Sequence, residues 1–306
     1  MLENAQIIAL QLIKMFIFIA IGFLLFKGKL ITEKSSLALV NVLIYAIIPC
    51  VILDPLIGER TGDSIRIFLI SLGAGGLALL ASLLIAWIFF RKNPIEHYGA
   101  AFSNAGFMGF PLIVAVLGEA GTIYITGFFL LHSIGQWVYN ILLMKPKGEK
   151  PNIKGLFLSP IMISLAVGLI IFLVGIRVPG VARECVSSLA DCNSPIAMII
   201  LGTYLGKTKL REIFTIPRLY LNSAVRLIII PAVTALVLCV VPRELMDVRT
   251  AIFIAAAAPV AVNTAVYAQK GGQDYTYAVK SVCLSTLLSL VLFPLMVLCA
   301  GFIWGV

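Results

Sequence analysis

Residues 104–112 combine a side-chain amide with three residues that weaken a helix. They read Asn-Ala-Gly-Phe-Met-Gly-Phe-Pro-Leu and lie in an apolar segment long enough to cross a bilayer. Pro111 has no N–H for the carbonyl of Phe107, at a cost of about 3 kcal/mol in an ordinary helix. Gly106 and Gly109 lower the helix preference further and let another backbone come close. We therefore expect the helix to break at Pro111.

A second stretch, residues 258–264, again combines a proline with a side-chain amide. Pro259 frees the carbonyl of Ala255, and the polar side chains of Asn263 and Thr264 follow one turn later. Unwound backbone inside a membrane is tolerated where it lines a cavity, and half-helix N-termini there offer N–H groups and partial positive charge to an anion. The two stretches predict a carboxylate site. The alternative is a pair of packing kinks, because other apolar segments also contain proline, at Pro49, Pro195, Pro231 and Pro294.

Ionisable side chains inside apolar segments are costly and indicate function. Arg226 and Lys280 are the cationic candidates for meeting a carboxylate, although Lys280 could instead reach the cytoplasmic interface. Asp191 with Asn193 could take up a proton or Na⁺, or could cap the start of a helix. The sequence leaves each of these pairs of alternatives open.

Polar residues also recur at helical spacing. His132, Gln136 and Asn140 lie four residues apart and share one helix face, which either lines the site or bonds a neighbouring helix. His132 is one of two histidines and a candidate pH-sensitive group. Asn41 and Tyr45 form a similar pair in an earlier segment.

These patterns give two sets of candidate site residues. The candidate substrate-binding residues are Asn104, Gly106, Met108, Gly109, Phe110, Pro111, Pro259, Asn263, Thr264, Gln136, Asn140 and Arg226. The candidate coupling or gating residues are Asn41, Tyr45, His132, Asp191, Asn193 and Lys280. No pattern indicates a catalytic residue, a metal site or a cofactor.

The composition places these residues in a membrane protein. Apolar residues make up 61% of the 306-residue chain, charged residues only 12%, and the mean hydropathy is +1.07. Without water to satisfy the backbone, the spans should be helices. Ten are predicted, over residues 6–26, 36–57, 65–90, 97–117, 122–144, 156–176, 186–206, 217–241, 250–268 and 276–303.

The distribution of charge predicts the orientation of these spans. Most Lys and Arg residues fall in loops on one side, which places that side in the cytoplasm and both termini outside the cell membrane. The basic residues that give the net charge of +9 are scattered through short loops. They are therefore explained by the orientation of the spans and not by binding to nucleic acid. The six cysteines form no C-x-x-C pair and fit small buried hydrophobic residues.

The two halves of the chain resemble each other. Ser35 to Ala38, followed by Asn41, recurs as Ser187 to Ala190, followed by Asn193, at an offset of 152 residues (187 − 35). Five spans per half is an odd number, so the second half should enter the membrane in the opposite sense, as in the inverted repeats of secondary transporters. We expect residues 1–145 to form the first repeat, residues 146–155 a cytoplasmic linker and residues 156–306 the second repeat.

The first of the two stretches resembles a known family. Residues 103–112, Ser-Asn-Ala-Gly-Phe-Met-Gly-Phe-Pro-Leu, are similar to the S-N-T-G-F-M-G-x-P-L signature of the auxin efflux carrier family, whose bacterial members resemble the plant PIN exporters. Residues 258–264, with Tyr267, Ala268, Gly272 and Asp274, resemble the second crossover of that family. The resemblance covers all ten spans.

Membership of that family implies a fold and a mechanism. The fold is sodium/proton-antiporter-like, all-α, with a scaffold of helices 1, 2, 6 and 7 and a transport bundle of helices 3–5 and 8–10, in which helices 4 and 9 cross. The resemblance further implies an elevator-type motion, a homodimer, and a small carboxylate such as malate or malonate, or an auxin-like acid, as substrate. Plant members carry a proline near the position of Thr264, which this sequence lacks.

The sequence therefore predicts a secondary transporter that exports or exchanges a small organic anion. Anion export from a negative interior gains about 2.3 kcal/mol per charge per 100 mV and needs no coupling ion. Sodium- or proton-coupled symport is an alternative, and a channel is another, although nothing resembles a selectivity filter. An enzyme is disfavoured: the two histidines are 35 residues apart (132 − 97), and neither a P-loop nor a nucleophile set is found.

Overall fold

The protein is an all-helical, multi-pass membrane protein. A computed structural model describes residues 2–58, 62–118, 121–144 and 158–306, and within them the one β pairing is an isolated bridge. The predicted linker, residues 146–155, lies outside these ranges. The α-helices are α1 (Leu2–Lys27), α2 (Glu33–Val42), α3 (Ile48–Ile57), α4 (Ser64–Phe90), α5 (Pro94–Ala101), α6 (Phe110–Leu117), α7 (Gly121–Leu143), α8 (Pro160–Val174), α9 (Gly180–Asp191), α10 (Asn193–Lys207), α11 (Leu210–Ile213), α12 (Pro217–Ala224), α13 (Ile230–Val237), α14 (Met246–Ala257), α15 (Asn263–Lys270) and α16 (Tyr275–Trp304).

Six continuous helical stretches are long and apolar enough to cross a bilayer, and they coincide with the predicted spans 1, 2, 3, 7, 8 and 10. They are Leu2–Lys27, Glu33–Ile57, Ser64–Phe90, Gly180–Lys207, Pro217–Val240 and Tyr275–Trp304. The predicted fifth span is the 23-residue helix α7, and the sixth is the 15-residue helix α8. The predicted spans 4 and 9 are each divided into two shorter helices, α5 with α6 and α14 with α15.

Three prolines follow a widened helical turn instead of breaking a helix. The π-helical turns Leu43–Ile47, Ala105–Gly109 and Val225–Ile229 each end two residues before a proline, namely Pro49, Pro111 and Pro231. A π turn re-pairs the backbone where proline cannot donate to the carbonyl four residues earlier. The prediction of a break at Pro111 was therefore wrong, because the helix continues from Ala105 to Leu117.

The breaks lie elsewhere. In the fourth span the backbone leaves helical geometry after Ala101 and returns at Ala105, so the first break is residues 102–104. In the ninth span α14 ends at Ala257 and α15 begins at Asn263, so the second break is residues 258–262 and includes Pro259, as predicted.

Glycine allows two helix pairs to pack at backbone contact. A Cβ on Gly202 of α10 would lie 2.1 Å from the carbonyl oxygen of Ile19 in α1. A Cβ on Gly127 of α7 would lie 2.3 Å from the backbone nitrogen of Leu72 in α4. Such close approach maximises dispersion contacts where the lipid supplies no hydrophobic driving force. The α1–α10 and α4–α7 pairs are thereby held as tight units.

Candidate functional site

The two breaks are hydrogen-bonded to each other. The backbone N–H of Asn104 donates to the carbonyl of Pro259 at 2.8 Å, and the N–H of Ala261 donates to the carbonyl of Phe102 at 3.2 Å. These bonds form a short antiparallel bridge between the two non-helical stretches. Each break thus satisfies backbone groups of the other, as a site away from water requires.

The second break is also held from α16. The N–H of Val260 donates to the hydroxyl of Ser285 at 2.7 Å, and both residues are fully buried. This bond fixes the middle of the non-helical stretch against a long continuous helix. The peptide group that follows Pro259 therefore has a side-chain partner as well as the partners in the first break.

Arg226 lies at the C-terminal ends of α5 and α14. Its Nη1 donates to the carbonyl of Ala100 at 2.9 Å, and its Nη2 donates to the carbonyl of Ala256. Carbonyls in the last turn of a helix lack an intrahelical donor, and a cation there is favourable. Arg226 is 1% exposed and is not among the described residues that line the adjoining cavity. That Arg226 meets the substrate directly stays a prediction, which its place behind the lining does not favour.

A small cavity of about 40 Å³ lies beside the joined breaks. Its lining combines polar and apolar side chains. Its polar lining residues are Ser103, Asn104, His132, Ser133, Gln136, Asn193 and Asn263, and its apolar ones are Ile48, Val51, Ile52, Phe107, Phe129, Trp137, Ile161 and Ala261, with Gly106 between them. Six sequence-predicted residues are thereby brought together: Asn104, Gly106, His132, Gln136, Asn193 and Asn263.

Two hydrogen bonds order the polar lining residues of the cavity. Asn263 Nδ2 donates to Gln136 Oε1 at 3.0 Å, which joins the start of α15 to α7. Ser103 Oγ and His132 Nε2 lie 3.2 Å apart and share a hydrogen bond whose direction depends on the histidine tautomer. The predicted polar face of α7 thus lines the cavity at His132 and Gln136. Asn140 is partly exposed and is not among the described residues that line the cavity.

Asn193 bonds the helix that follows the first break. Its Nδ2 donates to the carbonyl of Gly106 at 2.7 Å, within the π turn. Asp191, two residues earlier, is exposed. The predicted pair is therefore split, because Asn193 lies in the cavity and Asp191 does not.

Three buried polar atoms at the cavity have no hydrogen-bond partner among the described residues. They are the donors Asn104 Nδ2 and Trp137 Nε1 and the acceptor Asn193 Oδ1. A buried polar group left unpaired costs about 1–3 kcal/mol. Each such group in a native structure calls for an explanation, and a functional role is one of them.

Several predicted binding residues pack behind the cavity instead of lining it. Met108 and Thr264 are fully buried outside the described lining. Phe110 packs edge-on against Phe129, with ring centroids 4.8 Å apart. A Cβ on Gly109 would lie 3.3 Å from the Cα of Ala255, so glycine there keeps the π turn close to α14. These residues position the backbone around the site.

A second cavity of about 300 Å³, which we call the vestibule, adjoins the first. Both cavities are lined by Val51 and Asn193, and the vestibule is also lined by Gln11, Pro111 and Asp191, among other residues. Pro111, predicted to bind substrate, thus lines the vestibule and is not among the described residues that line the first cavity. From α1, Gln11 and Phe18 line the vestibule.

The remaining candidate gating residues lie away from the cavity. Asn41 and Tyr45 face outward on span 2, and Tyr45 is 62% exposed. Lys280 pairs with Glu212, at 2.8 Å between Nζ and Oε2. The Lys280 ammonium holds the pKa of the Glu212 carboxyl below its ordinary value. Asn41, Tyr45 and Lys280 are not among the described residues that line the cavity.

A buried charge network was not predicted. The side chain of Glu96 in α5 is fully buried, and Arg218 in α12 bonds both its oxygens, at 2.6 and 2.7 Å. The hydroxyl of Tyr277 in α16 also donates to Glu96, at 2.6 Å. Bidentate, charge-assisted bonds of this kind are strong. The network ties α5 to two distant helices, and no local spacing in the sequence reveals it.

Ser103, Ser133 and Trp137 were also missed as lining residues. Ser133 and Trp137 follow His132 and Gln136 by one position each, so they share the neighbouring stripe of α7. Ser103 immediately precedes Asn104, at the break that was placed too late in the sequence. The helical spacing of α7 therefore indicates Ser133 and Trp137, but it does not indicate Ser103.

Comparison with known proteins places the chain among transporters. The sequence model of a family described as "Membrane transport protein" matches residues 7–155 and 151–297. An uncharacterized transporter of Methanothermobacter thermautotrophicus is 26% identical over 294 residues, which cover 91% of this chain and 94% of that protein. The match to the family model extends over nearly the whole chain and includes both breaks.

Proposed function

The chain belongs to the membrane transport protein family, and we propose that it is a secondary transporter whose cavity binds the carboxylate of a small organic anion. The membership confirms the resemblance to the auxin efflux carriers and points to transport, not to an enzyme. The observation that carries the proposal is the pair of buried donors without partners, Asn104 Nδ2 and Trp137 Nε1, at the joined breaks.

The donor set favours an anion over a cation. The first N–H groups of the helix that begins at Ala105 have no intrahelical acceptor and point towards the break. None of the described lining residues is acidic. A carboxylate, which only accepts hydrogen bonds, matches these donors but not the unpaired acceptor Asn193 Oδ1, and the apolar lining residues suit a hydrocarbon body.

The cavity must widen for a substrate to bind. A volume of about 40 Å³ is far below the roughly 300 Å³ of an ordinary small-molecule site. The polar lining residues come mostly from the breaks and α7, whereas Ile48, Val51, Ile52 and Ile161 come from spans 2 and 6. In our proposal a transport bundle of spans 3–5 and 8–10 carries the polar side past an apolar scaffold of spans 1, 2, 6 and 7, as in an elevator.

We propose the ten-span inverted repeat on related grounds. Each half contains one span divided into two short helices, and the two breaks are paired, which supports a crossing of spans 4 and 9. The family model matches in two stretches that meet near the middle of the chain. A homodimer, the cell membrane as location and outward-facing termini complete the proposal.

The substrates we propose are mono- or dicarboxylates of the malate or malonate type or an auxin-like acid, exported or exchanged without a coupling ion. Proton-coupled symport is the second candidate. It is favoured by His132, the one titratable side chain of the described lining, which contacts Ser103 in the first break.

Flux into proteoliposomes tests the proposal. Carboxylates that raise the melting temperature of the purified protein are then assayed for counterflow, with and without Na⁺ and at two pH values. We expect saturable flux that Asn104→Ala reduces at least tenfold and that Asn41→Ala, an amide removed from the exposed face of span 2, leaves unchanged. Flux that does not saturate, or an Asn104→Ala protein that transports normally, would contradict it.

A further inference from the structure

Four helix ends meet at the joined breaks, and their partial charges cancel. The C-terminal ends of α5 and α14 each carry about −0.5 charge, and the N-terminal ends of the helices that begin at Ala105 and Asn263 each carry about +0.5. Two opposite pairs leave no net charge. A pair of broken helices is therefore, by itself, no reason for a site to prefer anions.

Arg226 changes this balance. It is fully buried and bonds the carbonyls at both negative ends, Ala100 in α5 and Ala256 in α14. Among the described residues no carboxylate pairs with it, so the two helix ends are its counter-charge. With those ends neutralised, the two positive ends remain, and they face the cavity through Asn104 and Asn263.

We propose that Arg226 sets the anion preference of the site without touching the substrate, by neutralising the C-terminal ends of α5 and α14. The proposal rests on the anion site proposed above. A second observation points to the same place: Asn104, at the positive end after the first break, lines the cavity, is 2% exposed and has an unpaired Nδ2. Arg226 is thus a positioning residue that acts through the helix ends.

Two substitutions separate charge from hydrogen bonding. Arg226→Lys keeps the positive charge but cannot bridge both carbonyls with a fork, whereas Arg226→Gln keeps a donor and loses the charge. The probes are benzoate and its uncharged isostere benzamide, with binding followed by the fluorescence of Trp137, identified as the component absent in Trp137→Phe. We expect Arg226→Gln to weaken benzoate on the order of tenfold and benzamide little, and Arg226→Lys to retain the preference for benzoate.

A purely structural role predicts a different result. If Arg226→Gln and Arg226→Lys weaken benzoate and benzamide in equal proportion, Arg226 only holds the helices and the proposal is overturned. The ratio of the benzoate affinity to the benzamide affinity, and not either affinity alone, decides between an electrostatic and a purely structural role of Arg226.

A second measurement requires no substrate and uses the same Trp137→Phe comparison to isolate the Trp137 signal. Iodide and caesium quench tryptophan with opposite charges, and neutral acrylamide corrects for access. We expect Trp137 to be quenched by iodide more than by caesium, and the reverse order or equality would overturn the proposal. If benzoate does not bind the unaltered protein, the carboxylate function fails, while the order of iodide and caesium, compared between the unaltered protein and Arg226→Gln, still decides the role of Arg226.

Discussion

The break at residues 102–104 contains no proline and carries Ser103 and Asn104, whereas the break at residues 258–262 contains Pro259 and is otherwise apolar. The second break has a local cause, since proline cannot continue the hydrogen bonding of a helix. The first has none in its own three residues. It is held by its bonds to the second break and by Arg226 at the end of α5.

The difference assigns separate tasks to the two breaks. The second supplies a fixed backbone, held from α16 through Ser285, against which the first can pair. The first is then free to carry polar side chains into the cavity. In our proposal one break provides the support and the other much of the recognition, although each divides a span into two shorter helices.

The largest effect is expected from removing the contact that both breaks share. In Arg226→Met the carbonyls of Ala100 and Ala256 lose their charged donor inside the membrane. Each buried group left unpaired costs about 1–3 kcal/mol, so a loss of several kcal/mol follows. Thermal unfolding in detergent should show a marked fall in melting temperature. A melting temperature equal to that of the unaltered protein would show that other donors satisfy both helix ends.

Loss of the Asn104 side-chain amide should affect transport alone, whereas loss of the Asn263 side-chain amide should affect both transport and stability. Asn104 Nδ2 has no partner, so Asn104→Ala should leave the melting temperature unchanged or raise it while reducing transport at least tenfold. Asn263 Nδ2 bonds Gln136, so Asn263→Ala should lose about 1 kcal/mol of stability as well as transport. Paired melting and flux measurements check this. Equal melting temperatures for the two variants would remove the distinction.

The two prolines should also differ. Pro259 lies in the break, and Pro259→Ala should destabilise by about 0.4–1 kcal/mol because the unfolded chain gains freedom. Pro111 follows a π turn in a continuous helix, so Pro111→Ala should have a smaller effect on stability. Melting curves of both variants, with Pro49→Ala after another π turn as the matched control, test the order. A larger loss of stability for Pro111→Ala than for Pro259→Ala would indicate that the functional break lies near residue 111.

The smallest effect concerns the helix that supports the second break. Lys280 of α16 bonds Glu212, whose pKa lies below its ordinary value. A carboxyl with a lowered folded pKa adds stability above its unfolded pKa, and that stability is lost as the pH falls through the folded pKa. Melting temperature measured from pH 7 downward should fall slightly more steeply in the unaltered protein than in Lys280→Met. If melting temperature falls equally with pH in the two proteins, the Lys280–Glu212 pair does not contribute to stability.

The sequence was sufficient for the elements that depend on local composition. The six long spans follow from apolar length, and the second break follows from Pro259, because both act through their own residues. The stripe of His132 and Gln136 follows from the 3.6-residue period of a helix. These features needed no knowledge of what packs against them, and the predicted residues Asn104, Asn193 and Asn263 also lie at the cavity.

Pairing between distant segments was decided only by the tertiary structure. Whether Pro111 breaks a helix depends on whether the backbone can form a π turn, and the first break exists where residues 258–262 and Arg226 supply partners from far along the chain. Glu96 likewise finds Arg218 only in the fold. In a membrane every freed backbone group must find such a partner, so the sequence determined which residues can loosen a helix, and the packing determined where it opens.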